Sequence, residues 1–443
     1  MPAQQVSVTH NDILHIAVPM IMANISTPLL GMVDTAVVGH LEAAHYLGAV
    51  AIGTLIFSFL FWGFGFLRMA TTGLTAQANG DSNPIESQHV LRQSLILASV
   101  IAAIILVFQH PISQLVFYFF DSNELVSLYA KSYFDIRIWS APATLINYVF
   151  LGWLIGKEES KLALLLVLVI NICNIILDII LVNVFGMNVD GVALASVVAE
   201  YIGLIVGTIL IVRHGVNLKS MVFHKDTTRI INTLNGLKLH GNIFIRTLCL
   251  MFSFAFFTAQ GAKQGAVILA ANAVLLNFMT LMAYVLDGFA NATEVITGKA
   301  IGKKNKSQLK HGLLLTGIWS LFIAALFSLC YLLFGTVIIS LLTDISAVAD
   351  TASHYLIWLI IAPVIAVWSY LFDGLFIGAT RSVEMRNTML FATLFCYLPA
   401  WYFLQPLGNH GLWLALLIFL AARGISQAFY LTQIFDLNHA PNK

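Results

Sequence analysis

Twelve long apolar stretches leave this chain few ways to fold. They lie near 13–38, 47–77, 90–118, 128–155, 161–184, 189–212, 241–260, 266–297, 309–335, 353–378, 384–406 and 409–433. An α-helix needs about 20 apolar residues to cross the hydrocarbon core of a bilayer. The strands of a membrane β-barrel would instead be short and would alternate in polarity. These stretches are too long and too evenly apolar for that, so the expected class is an all-α membrane protein of twelve transmembrane helices, here called spans 1 to 12. Charge usage agrees: only 10% of the 443 residues are charged and 59% are apolar, against about 25% charged in a soluble domain.

Orientation follows from the basic residues of the short loops. With the N-terminus on side one, that side holds sixteen of them: Arg92, Lys157, Lys161, Arg213, Lys219, Lys225, Arg229, Lys238, Lys299, Lys303, Lys304, Lys306, Lys310, Arg381, Arg386 and Lys443. The other side holds only Lys131 and Lys263. Both termini and the 213–240 connector are therefore expected to be cytoplasmic, on a multi-pass protein of the inner (cytoplasmic) membrane. The polar stretch Met1 to Asp12 lacks the basic flank and cleavage site of a signal peptide, so span 1 is expected to remain in the mature protein.

Several function classes drop out. A net charge of +1 gives no case for nucleic-acid binding. Cys173, Cys249, Cys330 and Cys396 all sit inside apolar runs with no CxxC spacing, which fits packing and offers neither a disulfide framework nor a metal site. Gly302-Lys303-Lys304 lacks the first Gly and the Ser/Thr of a phosphate loop, so it reads as a basic loop. The connector is too short to fold alone, which removes a nucleotide-driven pump built on this chain. No HExxH, GxSxG or paired His on one helix suggests an intramembrane enzyme.

The connector also separates two related halves: 1–212, an N-terminal lobe of six helices, and 241–443, a C-terminal lobe of six. They align at an offset near 222. Thr71-Thr-Gly-Leu-Thr75 and Gly80 face Thr293-Glu-Val-Ile-Thr297 and Gly302. Ala141-Pro142 faces Ala362-Pro363; Gly152, Ile155 and Gly156 face Gly374, Ile377 and Gly378; Gly191 to Ala195 faces Gly411 to Ala415. Each half has an even number of spans, so the repeats are parallel, related by an axis along the membrane normal. Two such bundles suit a cleft that opens alternately to either side. Both lobes sit on one chain, so a monomer suffices.

Acids inside such helices are costly, roughly 3 kcal/mol at the bilayer centre, and are kept mainly where they face a cavity or a partner. Asp34 lies late in span 1, on a helix that also carries Pro19 and Pro28. Proline removes a helix hydrogen bond and permits bending, so a proton-accepting acid on a bendable helix is a plausible switch. Span 5 carries Asn171, Asn174 and Asp178, of which Asn174 and Asp178 are four apart and share a face. Ser196 and Glu200 on span 6 have the same spacing and can join them. Two carboxylates with an amide and a hydroxyl oxygen could hold a proton or, as hard ligands, Na+. Asp287 on span 8 and Asp373 on span 10 give the second half its own acids, and Arg246 in span 7 could neutralise one. Trp62, Trp139, Trp153, Trp368, Phe57, Phe61 and Tyr370 are candidates for lining an apolar cleft.

Leu29-Leu-Gly-Met-Val-Asp34-Thr-Ala-Val-Val-Gly39-His40 resembles the first helix of the multidrug and toxic compound extrusion (MATE) family, in its DinF branch. The resemblance extends to Leu67–Gln77, Asn171–Asp178, Gly191–Ala195, Ala283–Phe289 and Phe372–Arg381, so it runs along essentially the whole chain. It implies a V-shaped antiporter of two six-helix lobes that exports amphipathic, often cationic, small molecules in exchange for protons or Na+. It assigns proton coupling to Asp34 and a first-lobe cation site to Asn174, Asp178 and Ser196, where relatives often carry Thr. It places the bend of span 1 nearer Pro19 than Pro28. No cofactor is implied beyond the coupling ion. The rival is a flippase for lipids or lipid-linked precursors, which would need several basic residues in its cleft; here Arg68, Arg137, Arg246 and Arg423 are the only ones in or near spans.

Overall fold

A computed structural model describes residues 8–39, 44–119, 124–216 and 230–436. The connector's Lys219, Lys225 and Arg229, together with His40 and Lys443, lie outside the described residues. Among those described there is no strand, and twelve helices are long and apolar enough to cross a membrane. These are span 1 His10–Asp34, span 2 His45–Gly80, span 3 Pro84–Val107, span 4 Glu124–Gly156, span 5 Ser160–Val184 and span 6 Asn188–Arg213. The second set is span 7 Gly236–Ala262, span 8 Ala266–Gly302, span 9 Lys306–Leu342, span 10 Ser346–Gly378, span 11 Ser382–Leu407 and span 12 Asn409–Phe435. Span 3 differs from its expected extent of 90–118: it ends at Val107, and a separate helix, Gln109–Phe119, follows Phe108.

Span 9 shows why these sequences fold this way in lipid. One face is small or polar and buried: Gly312, Thr316, Ser320, Ala324, Tyr331, Gly335 and Ile339, spaced mostly by four. The opposite face leaves Leu314, Ile318, Phe322, Leu329, Leu333, Val337 and Leu341 exposed. Water would penalise such a stripe, whereas acyl chains are as apolar as leucine and small residues let helix backbones approach.

The chain divides into two compact units, one of residues 22–233 and one that combines residues up to 21 with 234–443. The first half of span 1 thus packs with the second unit. There Gly288 of span 8 sits against Ala17 and Ile21, and Trp319 Nε1 donates to His10 Nδ1 at 3.0 Å.

The internal repeat is visible in the backbone itself. Spans 3 and 9 both start on an asparagine cap: Asn83 Oδ1 accepts from Glu86 N at 3.0 Å, and Asn305 Oδ1 from Gln308 N at 2.9 Å. Capping satisfies one of the N–H groups that a helix start leaves unpaired. Just before the caps, Ser82 and Lys304 adopt left-handed φ values of 52° and 53°. The turns after spans 4 and 10 likewise turn on Glu158 (φ 68°) and Thr380 (φ 54°).

Each unit is also closed by one glycine ridge. A Cβ on Gly152 would lie 2.5 Å from Arg68 O and 2.9 Å from Thr71 Cβ, and one on Gly156 would lie 2.7 Å from Thr72 O. In the second unit Gly374 and Gly378 press in the same way on Ala290 O and Glu294 O. Spans 4 and 2, and spans 10 and 8, therefore meet backbone to backbone at equivalent positions. Buried polar side chains add specific links in the second unit. Asn272 and Asn409 exchange amide hydrogen bonds of 2.8 and 2.9 Å, Trp413 Nε1 donates to Asn272 Oδ1 at 2.9 Å, and the Tyr331 hydroxyl donates to Phe278 O at 2.7 Å.

Candidate ion-coupling site

In the first unit, spans 1 and 5 run side by side and are joined at two levels. Asn171 Nδ2 donates to Ser26 Oγ at 2.8 Å. About two turns further along both helices, the Asp34 and Asp178 carboxyls come within hydrogen-bonding reach of each other. Both helices advance in the same direction between the two links, as two odd-numbered spans must. Asp34 is 6% exposed and Asp178 is fully buried, so neither carboxyl has bulk water to turn to. Two ionised carboxylates have only acceptors to offer each other. A proton on either carboxyl would supply the donor that the pair lacks.

The rest of the cluster holds Asp178 in place. In the amide orientation that satisfies both neighbours, Asn174 Nδ2 donates to Asp178 Oδ2 at 3.0 Å, while its oxygen accepts from Ser196 N at 3.0 Å and Ser196 Oγ at 2.9 Å. Asp178 Oδ1 is buried without a hydrogen-bond partner. Directly after Asp178 the helix loosens into a π-helix, Ile179–Val184, a form seen mostly as single turns and often at functional sites.

Glu200 does not join this group. It lies next to Asn147 of span 4, whose Nδ2 donates to both its backbone oxygen and its Oε2 at 2.9 Å. Its i, i+4 partner Ser196 does join, because the two residues flank one helix edge and spans 4 and 5 contact different parts of it. Arg137, also on span 4, lies over the rings of Phe57 and Phe61 at 5.9 and 5.8 Å and acts electrostatically on Asp34, Asp178 and Glu200.

Span 1 is a single helix, His10–Gly39, through both prolines. Pro19 is buried and Pro28 exposed. Of the aromatic candidates, Trp153 is buried and donates to Ser87 Oγ at 3.0 Å, so it packs inside the unit and lines no cleft. Phe57 and Phe61 are buried beside Arg137, whereas Trp62, Trp139 and Trp368 are exposed. An apolar recess of about 370 Å³ lies between Leu55, Ile56, Phe59 and Leu60 of span 2 and Ile112 and Val116, with no acid in its lining.

The second unit builds a different cluster. Asp373 of span 10 receives Arg246 from span 7 and Arg423 from span 12, both on Oδ2, the latter at 2.6 Å. Gln427 Nε2, one turn after Arg423, donates to Oδ1 at 2.7 Å. Asp287 acts on Tyr284 and, together with Asp373, Arg246 and Arg423, on Tyr370.

Ser26, Asn147 and Gln427 escaped sequence reasoning. So did a chain of Trp358 Nε1 to His410 Nδ1 (3.0 Å) and His410 Nε2 to His354 Nε2 (3.1 Å). Indole N–H only donates, so His410 accepts at Nδ1 and carries its proton on Nε2, facing His354. An imidazole so oriented offers no lone pair there for a metal. Among the described residues no group of three His, Cys, Asp or Glu could hold a metal ion.

The chain is similar to known proteins along most of its length. The sequence profile of the MatE family matches residues 19–180 and 243–406. The chain is 46% identical over 426 residues to DNA damage-inducible protein F of Escherichia coli, covering 94% of this chain and 90% of that protein. It is 23% identical to the multidrug resistance protein MdtK of Yersinia pseudotuberculosis, over 95% of each. In fold it is similar to a solved MOP-superfamily transporter from Pyrococcus furiosus, with a TM-score of 0.87 at 19% identity, over 97% of this chain and 96% of that one.

Proposed function

Because this chain belongs to the MatE family of multidrug and toxic compound extrusion transporters, we propose that it is a secondary active antiporter that exports amphipathic or cationic small molecules in exchange for protons. The chain is a multi-pass membrane transporter. The observation that carries it is the contact of two buried carboxyls, Asp34 and Asp178, on adjacent helices.

In this reading the protein resides in the inner membrane with both termini inside. Substrate enters from the cytoplasm while the carboxyl pair is ionised, and its positive charge is stabilised in the acidic lobe. After the switch to the outward state a proton enters the pair. It removes one negative charge, lets Asp34 and Asp178 close on each other, and weakens the hold on a cation. The proton then leaves on the inside. Each charge carried inward through 100 mV supplies about 2.3 kcal/mol, to which a pH gradient adds.

Span 1 is the element suited to relay the change. It carries Asp34 near one end, and it passes from one compact unit to the other at residues 21 and 22, just after Pro19. The carbonyl that Pro19 leaves without its helical partner makes a bend there inexpensive. Asn174 and Ser196 position Asp178, and Asn171 holds the two helices in register. Pro28, on the exposed side, has a smaller part.

A sodium-coupled cycle is the second reading, supported by the oxygens of Asp34, Asp178, Asn174 and Ser196. Arg137 counts against it, because the lobe already holds its own cation. A lipid-linked precursor flippase loses support because Arg246 and Arg423 are engaged by Asp373.

The test uses purified protein in liposomes under an imposed pH gradient, without sodium, following ethidium uptake. Gradient-dependent uptake in the wild type that disappears in a folded Asp34→Asn variant is expected. Full uptake by that variant rules out Asp34 coupling. Uptake only under a sodium gradient transfers the role to sodium.

A further inference from the structure

The first unit buries an unused donor and an unused acceptor that act on each other. Arg137 Nη1 of span 4 has no hydrogen-bond partner, and neither has Asp178 Oδ1 of span 5. A guanidinium is always charged and only donates; an ionised carboxylate only accepts. The two are complementary, yet Arg137 rests instead over the rings of Phe57 and Phe61, 5.9 and 5.8 Å from their centroids. A flat guanidinium stacks well on aromatic faces, so this seat suits it whenever no carboxylate claims it.

The titratable groups on which Arg137 acts are Asp34 of span 1, Asp178 of span 5, Glu200 of span 6, and Tyr133 and Tyr148 of its own span. Glu200 already accepts from Asn147 through Oε2. Of the three acids, only Asp178 leaves a buried oxygen without a hydrogen bond. Both helices are also irregular at this point. Span 4 tightens into a 3-10 turn at Ile138–Ser140, directly after Arg137, and span 5 loosens directly after Asp178. Such interruptions are where a helix adjusts most easily.

The charge on the carboxyl pair decides where Arg137 belongs. With one proton, Asp34 and Asp178 carry one negative charge between them. Without it they carry two. The pull on the guanidinium then doubles, and the contact between the two carboxyls loses its donor.

We propose that Arg137 determines the ion specificity of the site: when the carboxyl pair loses its proton, the guanidinium leaves the two rings, binds Asp178 Oδ1 and takes the place that a sodium ion would need. This deepens the antiporter reading above and rests on it. Sodium would have to share the oxygens of Asp34, Asp178, Asn174 and Ser196 with a tethered positive charge, in surroundings that screen the repulsion poorly. A proton bonds to one oxygen and needs no such space; its arrival sends Arg137 back to the rings. The ionised pair with Arg137 still sums to one negative charge. A bulky organic cation can use that field without reaching the oxygens themselves, whereas sodium cannot.

The test is equilibrium binding of radiolabelled sodium to the purified full-length protein in detergent at alkaline pH, with ethidium uptake in liposomes followed under a sodium gradient alone. Wild type is expected to show no saturable sodium binding. Arg137→Gln and Arg137→Met, the latter still able to pack on Phe57 and Phe61, should bind sodium saturably, at least tenfold more tightly than wild type, and should take up ethidium under the sodium gradient. Arg137→Lys keeps the charge and should exclude sodium as wild type does. Adding Asp178→Asn to Arg137→Gln should abolish the gained binding, which places the ion at the carboxyl pair. Wild type that binds sodium as tightly as the neutral variants overturns the proposal, as does a folded neutral variant that binds none, or gained binding that survives Asp178→Asn. Failure of both neutral variants to fold overturns it too, because the charge would then serve structure. The antiporter reading is judged separately, by wild-type uptake under a pH gradient without sodium, so either can fail alone.

Discussion

Gly152→Ala tests the helix crossing on which the first unit is built. The new methyl would meet Arg68 O at 2.5 Å and Thr71 Cβ at 2.9 Å, whereas carbon–oxygen contacts settle near 3.3–3.6 Å and carbon–carbon contacts near 3.5–4.0 Å. Span 4 would have to withdraw from span 2 by about 1 Å. Neither obstacle is the free end of a long side chain, so neither can swing away. Overpacking of this kind costs about 1–3 kcal/mol, and a two-sided clash with backbone belongs at the upper end, about 3 kcal/mol. Alanine's better helix propensity returns up to about 1 kcal/mol, leaving about 2 kcal/mol of net loss. Gly241→Ala is the internal control. It lies in span 7 with nothing within 4 Å of the added atom, so only the propensity gain of about 0.5–1 kcal/mol remains. Unfolding would be followed by circular dichroism as the sodium dodecyl sulfate fraction rises in mixed micelles. Gly152→Ala should unfold at a clearly lower fraction than wild type, and Gly241→Ala at the same or a slightly higher one. Equal midpoints for Gly152→Ala and wild type would show that the crossing is loose and the argument wrong.

Other substitutions probe separate links by the same titration. Asn409→Ala leaves Asn272 without its reciprocal partner and should cost about 1–3 kcal/mol, the penalty of an unsatisfied buried polar group. Tyr331→Phe removes a single hydrogen bond to Phe278 O and should cost about 1 kcal/mol; no change in midpoint would mean that bond contributes nothing. Asn147→Leu strips Glu200 of its amide partner and is expected to cost about 1–3 kcal/mol.

The spans, the repeat and the Asn174–Asp178 pair were legible because each is a local or periodic signal. Helix length fixes the spans, and the i, i+4 rule puts Asn174 and Asp178 on one face whatever surrounds them. Pairings between helices were not. Asn272 and Asn409 are 137 residues apart, and a lone Asn in an apolar run looks the same whether it meets a partner or not. Arg246 and Asp373 were both visible as charges in apolar surroundings. What could not be read was that a second arginine, Arg423, converges on the same oxygen. Glu200 illustrates the opposite error: helical spacing relates it to Ser196, but the packing of span 4 gives it to Asn147.

The exposed stripe of span 9 bears on the bilayer itself. From Leu314 to Leu341 it covers 27 helical steps, or about 40 Å at 1.5 Å per residue, against about 30 Å of hydrocarbon. The helix must therefore lean by some tens of degrees or draw thicker lipid around it. Either response ties the second unit to acyl-chain length: short-chain lipids increase the lean and long-chain lipids relieve it.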